Sequence, residues 1–144
     1  MGAREGLGYP LGVRVLVVED SAPFRRRLTA WLSELPKLGG LDVDLDVEEA
    51  ASCETALDAL ERRPVELVLL DLRLGERSGL ELIPLVKRRW PTAVLVVLTS
   101  AARAPYERVC VERGADFFFD KASDFEPALA EVVLDVELRA RLSA

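Results

Sequence analysis

Short apolar runs alternate along the chain with longer stretches in which apolar residues recur every three or four positions. Short runs bounded by glycine, proline or charged residues predict buried strands, and the longer stretches predict amphipathic helices. The strands are predicted at 13–18, 43–49, 65–70, 93–98 and 116–119. The second of them alternates apolar and acidic residues, which is typical of a half-exposed strand at the edge of a sheet.

One helix is predicted after each strand. The first is ended by Pro36 and Gly39-Gly40, and the last takes Ser123 or Asp124 as its N-cap. Pro84 lies inside the third, so that helix is expected to kink or to begin late. The helices are predicted at 21–35, 52–63, 78–90, 105–113 and 123–142.

Strict alternation of five strands with five helices predicts an α/β fold. Parallel strands need crossover connections, so we expect a five-stranded parallel sheet with helices on both faces. One domain is predicted over residues 13–142. The glycine-rich residues 1–12 are expected to form a flexible arm.

Composition narrows the classes of function. The 144 residues carry a formal net charge of −6, which disfavours binding to nucleic acid or to an anionic membrane surface. No apolar run approaches the roughly 20 residues of a membrane span, and residues 1–12 lack the apolar centre of a secretion signal, so a cytoplasmic protein is expected. The chain contains no histidine, which excludes Ser-His-Asp catalysis, His-ligated zinc and a phosphohistidine intermediate. The two cysteines, Cys53 and Cys110, lie far apart in sequence and form no metal-ligand pattern. Any metal ion is therefore expected to have oxygen ligands, which indicates Mg²⁺ or Ca²⁺.

Polar groups of complementary chemistry follow four of the five predicted strands. Ligands of an open parallel sheet bind beyond the carboxyl ends of its strands. The groups are, in chain order, Glu19 and Asp20, Asp71, Thr99 and Ser100, and Lys121. Three carboxylates, two hydroxyls and one ammonium are therefore expected to meet at one edge of the sheet.

This set of groups suits phosphoryl transfer. Three neighbouring carboxylates repel one another unless a cation lies between them, and Mg²⁺ fits because it prefers oxygen ligands and keeps water molecules that a phosphate can replace. One carboxylate can then act as the nucleophile, while Lys121 pairs with a carboxylate or with phosphate oxygens and Thr99 donates a hydrogen bond. Taken singly, the acidic pair could be a helix N-cap and the lysine a solvated surface charge. Only the joint pattern favours the chemical explanation.

Four segments, VLVVED, VELVLLDLRLGERSGLEL, AVLVVLTSAA and RGADFFFDKA, resemble in this order the receiver domain of two-component response regulators in its stand-alone, CheY-like form. The resemblance extends from about Val13 to Leu142. It implies a flavodoxin-like (βα)5 sandwich with strand order 2-1-3-4-5. It also implies a module that accepts a phosphoryl group from a histidine kinase or a phosphotransfer protein. The signal would then pass to a downstream protein or a second copy of the chain through the face of the fourth helix, fifth strand and fifth helix.

The resemblance implies that Asp71 is the phosphoacceptor. Glu19, Asp20 and Asp71 would bind Mg²⁺ together with the backbone carbonyl of Arg73. The sequence departs from the family in the loop after Asp71, where Gly75 replaces a frequent proline. A glycine there suggests more backbone freedom in that loop.

The resemblance also implies a conformational switch. Thr99 would be the switch hydroxyl, Phe118 the aromatic switch residue, and Lys121 the lysine characteristic of the family. Ala122 follows that lysine where many receivers have proline, so the loop after the fifth strand can take a different path. Phe118 has no hydroxyl, so rotation of its ring cannot be stabilised by a tyrosine-type hydrogen bond.

Three alternatives remain open at this point. An aspartyl-nucleophile phosphohydrolase usually has a second aspartate two residues after the nucleophile, where this chain has Arg73. A receiver-like adaptor that acts without phosphorylation would not need the intact acidic set. A flavin-binding protein of similar fold would need a hydroxyl-rich phosphate loop where Glu19-Asp20 stands. We therefore expect a protein that is not an enzyme beyond self-catalysed phosphotransfer and autodephosphorylation.

Overall fold

The structure, a computed structural model, describes residues 12–38, 44–100 and 103–143. The described residues contain seven strands: β1 (Gly12–Val18), β2 (Asp44–Ala50), β3 (Leu67–Leu70), β4 (Arg73–Leu74), β5 (Arg77–Ser78), β6 (Val94–Thr99) and β7 (Phe117–Asp120). They also contain five α-helices: α1 (Ala22–Leu38), α2 (Cys53–Arg62), α3 (Leu82–Arg89), α4 (Arg103–Arg113) and α5 (Glu126–Ser143). A 3-10 helix at Gly79–Glu81 leads into α3.

Five of the strands form one parallel sheet in the order β2-β1-β3-β6-β7. Within this sheet β6 and β7 are the fourth and fifth strands along the chain, so the order is the predicted 2-1-3-4-5 arrangement. The predicted α/β fold class is confirmed. The remaining strands, β4 and β5, pair antiparallel as a separate hairpin directly after Asp71. That hairpin was not among the predicted elements.

Alternate residues of β1 face opposite layers, as the two-residue period of a strand requires. Val13, Val15 and Val17 belong to a core cluster with residues of α1 and α5. Leu16 and Val18 belong to a second cluster with residues of α2, α3 and α4. Helices therefore cover both faces of the sheet. No helix among the described residues is long and apolar enough to cross a membrane.

The boundaries of two helices and one strand test the predictions. Helix α1 continues through Pro36 to Leu38, two residues beyond the proline. Helix α3 begins late, at Leu82, as the position of Pro84 suggested. Gly12, which was placed in the predicted arm, is the first residue of β1. The rest of the arm and Val43 of the predicted second strand lie outside the described residues, so the arm stays a prediction.

The predicted N-cap of α5 is wrong, because that helix begins only at Glu126. The carbonyl of Asp120 accepts bonds from Ser123 N at 3.0 Å and Ser123 Oγ at 2.6 Å, and its carboxylate accepts one from Ala122 N at 2.8 Å. These bonds close a turn directly after β7. Ser123 is therefore engaged before the helix starts, and buried Phe125 precedes the first helical residue.

Candidate functional site

The carboxyl ends of β1 and β3 bring three carboxylates together. Hydrogen bonding continues past both strands, since Asp71 N donates to Val18 O at 3.0 Å and Glu19 N donates to Ala50 O at 2.9 Å. One carboxylate oxygen each from Glu19, Asp20 and Asp71 lies within 4.8 Å of the others. The sequence analysis predicted this convergence, and the structure places these side chains as expected.

The Lys121 side chain reaches this cluster from the loop after β7. Its Nζ lies 3.0 Å from Asp71 Oδ2 and forms a second ion pair with Glu19. Burial lowers the pKa of Lys121, but its hydrogen bonds to Glu19 and Asp71 outweigh that effect and hold the pKa above its ordinary value. The lysine is therefore not a solvated surface charge. It is a fixed cation at the centre of the site.

Burial divides the three carboxylates into two kinds. Glu19 and Asp71 are 2% and 5% exposed, whereas Asp20 is exposed at the mouth of the site. Burial raises the pKa of Glu19 to about 6, even though Lys121 and the Ser21 amide, which donates to Glu19 Oε2 at 3.0 Å, favour its charged form. Two of the three acidic groups are thus shielded from solvent, and water reaches the cluster only on the side of Asp20.

The loop after Asp71 folds back over the carboxylates. Arg73 N donates to Asp71 Oδ1 at 3.3 Å, and Gly75 N donates to Asp20 Oδ2 at 3.0 Å. Gly75 has a φ of +65°, a conformation that glycine adopts without steric cost. The glycine that suggested a freer loop is therefore the turn residue of an ordered hairpin. The Arg73 side chain is exposed.

The other predicted residues lie along β6 and β7. Thr99 is the last residue of β6 and is fully buried, and its carbonyl accepts a hydrogen bond from Lys121 N at 3.0 Å. Ser100 follows at an exposed position. Phe118 is buried and pairs in register with Val97. Thr99 therefore adjoins the cluster through the Lys121 backbone, and Phe118 lies within the core.

Two residues near the site were missed by the sequence analysis. The ring centroid of Phe24 lies 4.3 Å from Lys121 Nζ, which is a cation–π distance. Arg25 donates from Nη1 to the Glu19 carbonyl at 2.7 Å and pairs with Glu49. Phe24 was predicted only as an apolar position of the first helix. No local pattern distinguishes an aromatic residue that supports a lysine about a hundred positions away.

Comparison with known proteins agrees with this arrangement. The family model of the response regulator receiver domain matches residues 15–133. A protein-glutamate methylesterase/protein-glutamine glutaminase of Alkalilimnicola ehrlichii is 32% identical over 110 residues, or 76% of this chain and 27% of that protein. The nitrate/nitrite response regulator protein NarP of Escherichia coli is 31% identical over 119 residues, or 83% of this chain and 53% of NarP. The chain thus spans about a quarter to a half of the length of these relatives.

Solved structures share the fold. A response regulator protein of Burkholderia pseudomallei with a phosphorylated aspartic acid, a calcium ion and citrate is 28% identical, with a TM-score of 0.69 over 87% of this chain and 72% of that one. The non-phosphorylated HemR receiver domain of Leptospira biflexa is 26% identical, with a TM-score of 0.71 over 86% of this chain and 94% of that one. With a family match over most of its length and an acidic cluster at the carboxyl edge of its sheet, the chain belongs to the response regulator receiver domain family of two-component systems.

Proposed function

We propose that this chain accepts a phosphoryl group on Asp71 from the phosphohistidine of a histidine kinase or a phosphotransfer protein. The observation that carries the proposal is the 3.0 Å contact between Lys121 Nζ and Asp71 Oδ2 inside a cluster of three carboxylates. One oxygen of Asp71 is thereby fixed by a cation. The ammonium would also lie close enough to pair with the oxygens of a phosphoryl group on Asp71.

The donor set fits a divalent cation with hard oxygen ligands. Glu19, Asp20 and Asp71 supply three carboxylates but Lys121 is the only cation that pairs with them among the described residues, so net negative charge remains. A bound Mg²⁺ would neutralise that charge and hold a phosphoryl oxygen. We propose these three side chains and the Arg73 carbonyl as its ligands.

Phosphorylation would then run as a displacement at phosphorus. The Asp71 carboxylate forms the new phosphorus–oxygen bond as the phosphorus–nitrogen bond of the donor breaks, and the imidazole leaves with the electron pair. Lys121 keeps its charge next to the transferred oxygens throughout. Water later attacks the same phosphorus and releases inorganic phosphate, which restores the carboxylate. These two steps are self-catalysed, and we expect no turnover of phosphate esters.

The proposed output is a population shift. The Thr99 hydroxyl would move toward a phosphoryl oxygen, and Phe118 would follow into the space that it leaves. Both residues are buried on the neighbouring strands β6 and β7, so neither side chain can move unless its surroundings repack. We propose that α4, β7 and α5 carry the altered surface to a downstream protein or to a second copy of the chain. The proposed setting is the cytoplasm.

Asp71→Asn tests the proposal directly. Wild-type protein incubated with Mg²⁺ and a labelled small phosphodonor should incorporate label, and the variant should incorporate none. The exposed Asp58 on α2 provides a matched control, since Asp58→Asn removes the same charge away from the site and should label normally. Equal labelling of Asp71→Asn would reject Asp71 as the acceptor. If the wild-type protein neither labels nor binds Mg²⁺, an adaptor that acts without phosphorylation is the better description.

A further inference from the structure

Arg77 links the hairpin after Asp71 to two neighbouring elements. Arg77 lies in β5 and donates from Nη1 to Glu54 Oε1 at 2.7 Å and from Nη2 to Glu81 Oε2 at 2.8 Å. Glu54 belongs to the first turn of α2, and Glu81 belongs to the 3-10 helix before α3. The planar guanidinium thus ties the hairpin to two separate elements, which an ammonium cannot do with the same fixed geometry.

The tip of the same hairpin contacts the acidic cluster. Leu74 pairs with Arg77 across the hairpin and is buried in the core, and Gly75 at the turn donates its N–H to Asp20 Oδ2 at 3.0 Å. That bond fixes one oxygen of Asp20. Because a carboxylate is rigid and planar, the same bond also restricts the direction of its other oxygen. Asp20 is the exposed member of the cluster, so no surrounding core holds its side chain in place. The hairpin performs that task from outside.

We propose that Arg77 is a positioning residue that makes the metal site selective for Mg²⁺ over Ca²⁺. The inference rests on the proposed function of the acidic cluster. Mg²⁺ demands short, nearly octahedral coordination, whereas Ca²⁺ accepts longer and more variable arrangements. A carboxylate held by a fixed hairpin therefore favours the smaller ion. A carboxylate on a loosened hairpin would lose Mg²⁺ affinity while Ca²⁺ still adapts.

Charge and positioning predict opposite results for Arg77→Ala. Removing a cation near a cation site raises metal affinity by electrostatics alone. Loss of positioning should instead lower the Mg²⁺ affinity about two- to fivefold, because Arg77 contacts no proposed ligand and acts only through the hairpin. The Ca²⁺ affinity should fall less. Arg77→Lys keeps the charge but loses the planar fork, so it should also lose Mg²⁺ affinity. Exposed ion pairs contribute little to stability, so both variants should fold.

Isothermal titration with MgCl₂ and CaCl₂ measures both affinities for the wild-type protein and each variant. Arg63→Ala is the matched control, because Arg63 is similarly exposed and pairs with Asp46 near the opposite end of the sheet. A lower Mg²⁺/Ca²⁺ affinity ratio in both Arg77 variants, with the wild-type ratio in the control, would support the proposal. If the wild-type protein binds Mg²⁺ and both variants keep its Mg²⁺/Ca²⁺ affinity ratio, the proposal for Arg77 is overturned. The phosphoacceptor proposal is then left intact. Failure of the wild-type protein to bind Mg²⁺ would overturn both.

Discussion

Lys121 Nζ lies 3.0 Å from Asp71 Oδ2, and the same ammonium pairs with Glu19. One cation therefore balances two carboxylates that are almost completely buried. Removing one partner of a buried ion pair leaves an uncompensated charge, which is far more costly than losing an exposed pair. The stability of this part of the sheet should thus depend on the lysine or on another cation in its place.

Lys121→Ala should lower the free energy of unfolding by on the order of 3 kcal/mol, because two buried carboxylates lose their counter-charge. Millimolar Mg²⁺ should restore more stability to this variant than to the wild-type protein, since the ion takes over that role. Urea unfolding followed by tryptophan fluorescence measures both effects. Lys87→Ala is the control, because Lys87 pairs with Asp116 outside the cluster. The same Mg²⁺ effect in both variants would contradict the prediction.

Mg²⁺ binding should depend on pH through Glu19. Its pKa of about 6 in the folded protein means that the ion must displace a proton below that pH, so the affinity should fall about tenfold per pH unit there. The folded-state pKa lies above the ordinary value of 4.5, so the stability that this carboxyl contributes is present at low pH and is lost as pH rises through about 6. Mg²⁺ titrations between pH 5 and pH 8 measure the trend. Glu19→Gln should flatten it, and an equally steep curve in that variant would assign the proton to another group.

The main features of the fold could be predicted because each depends on local sequence. Apolar runs end in polar residues at Asp71 and Thr99, and a parallel sheet necessarily brings such ends to one edge. The hairpin at β4 and β5 could not be predicted in this way. Strands of two residues are too short to show an alternating pattern, and only Gly75 indicates a turn there.

Other features depend on contacts between distant residues. Arg14 stands inside an apolar strand, yet it is 1% exposed and donates from Nη1 to the carbonyls of Arg63 at 2.8 Å and Pro64 at 3.2 Å. It also pairs with Glu48 of the neighbouring strand. Strand periodicity predicts which face of the sheet a residue occupies, but it does not predict which carbonyl groups lie on that face. The Phe24 ring beside Lys121 is a similar case, and both kinds of contact require the assembled fold.

Glycine is required at position 79 because another part of the backbone passes close to its Cα. A methyl group at this position would overlap the carbonyl oxygen of Asp71 and lie 3.1 Å from Leu72 Cα. Gly79→Ala should therefore cost about 1–3 kcal/mol of stability and displace the Asp71 backbone, which would reduce labelling by a small phosphodonor. Gly75→Ala meets no atom within 4 Å but strains a positive φ, at a cost of about 1 kcal/mol. Unfolding and labelling measurements should show a larger loss for Gly79→Ala than for Gly75→Ala. A larger loss for Gly75→Ala would reject the overlap.

Glu137 should destabilise the protein at neutral pH. Its side chain is fully buried on α5, and neither carboxylate oxygen has a hydrogen-bond partner within the described part of the chain. Burial raises its pKa, and the charge of Arg141 offsets only part of that rise. Glu137→Gln removes the buried charge but leaves an unpaired amide, so it should raise the free energy of unfolding by on the order of 1 kcal/mol at pH 7.

The pH dependence separates charge from packing at Glu137. A raised folded-state pKa means that the native carboxyl destabilises the fold increasingly as pH rises above its ordinary value of 4.5. The gain from Glu137→Gln should thus grow between pH 4 and pH 7. The exposed Glu131 on the same helix gives the control, and Glu131→Gln should change little at either pH. A gain that is constant with pH would mean that the pKa of Glu137 does not change on folding, and its charge would then not be the cause of the destabilisation.

Docking of a protein phosphodonor should involve a cavity of about 270 Å³ between α1 and the start of α5. It is lined by Phe24, Arg27, Leu28, Ala30, Trp31, Phe125 and Glu126. The aromatic lining suits a large apolar side chain of a partner, and Phe24 also contacts Lys121, so a protein seated there would lie against the acceptor site. Because the cavity adjoins the acceptor site in this way, we assign it to the protein phosphodonor.

Ala30→Arg fills that cavity without touching the carboxylates. After candidate kinases have been compared for transfer to the wild-type protein, the variant should receive phosphate from the best donor about tenfold more slowly, equivalent to about 1.4 kcal/mol. Labelling by a small phosphodonor should be unchanged, since that reaction needs no docking. Ser33→Arg adds the same charge to an exposed position of α1 outside the cavity lining and should transfer at the wild-type rate. Equal slowing with both kinds of donor would show that the substitution damages the acceptor site itself, and the cavity would lose its assignment.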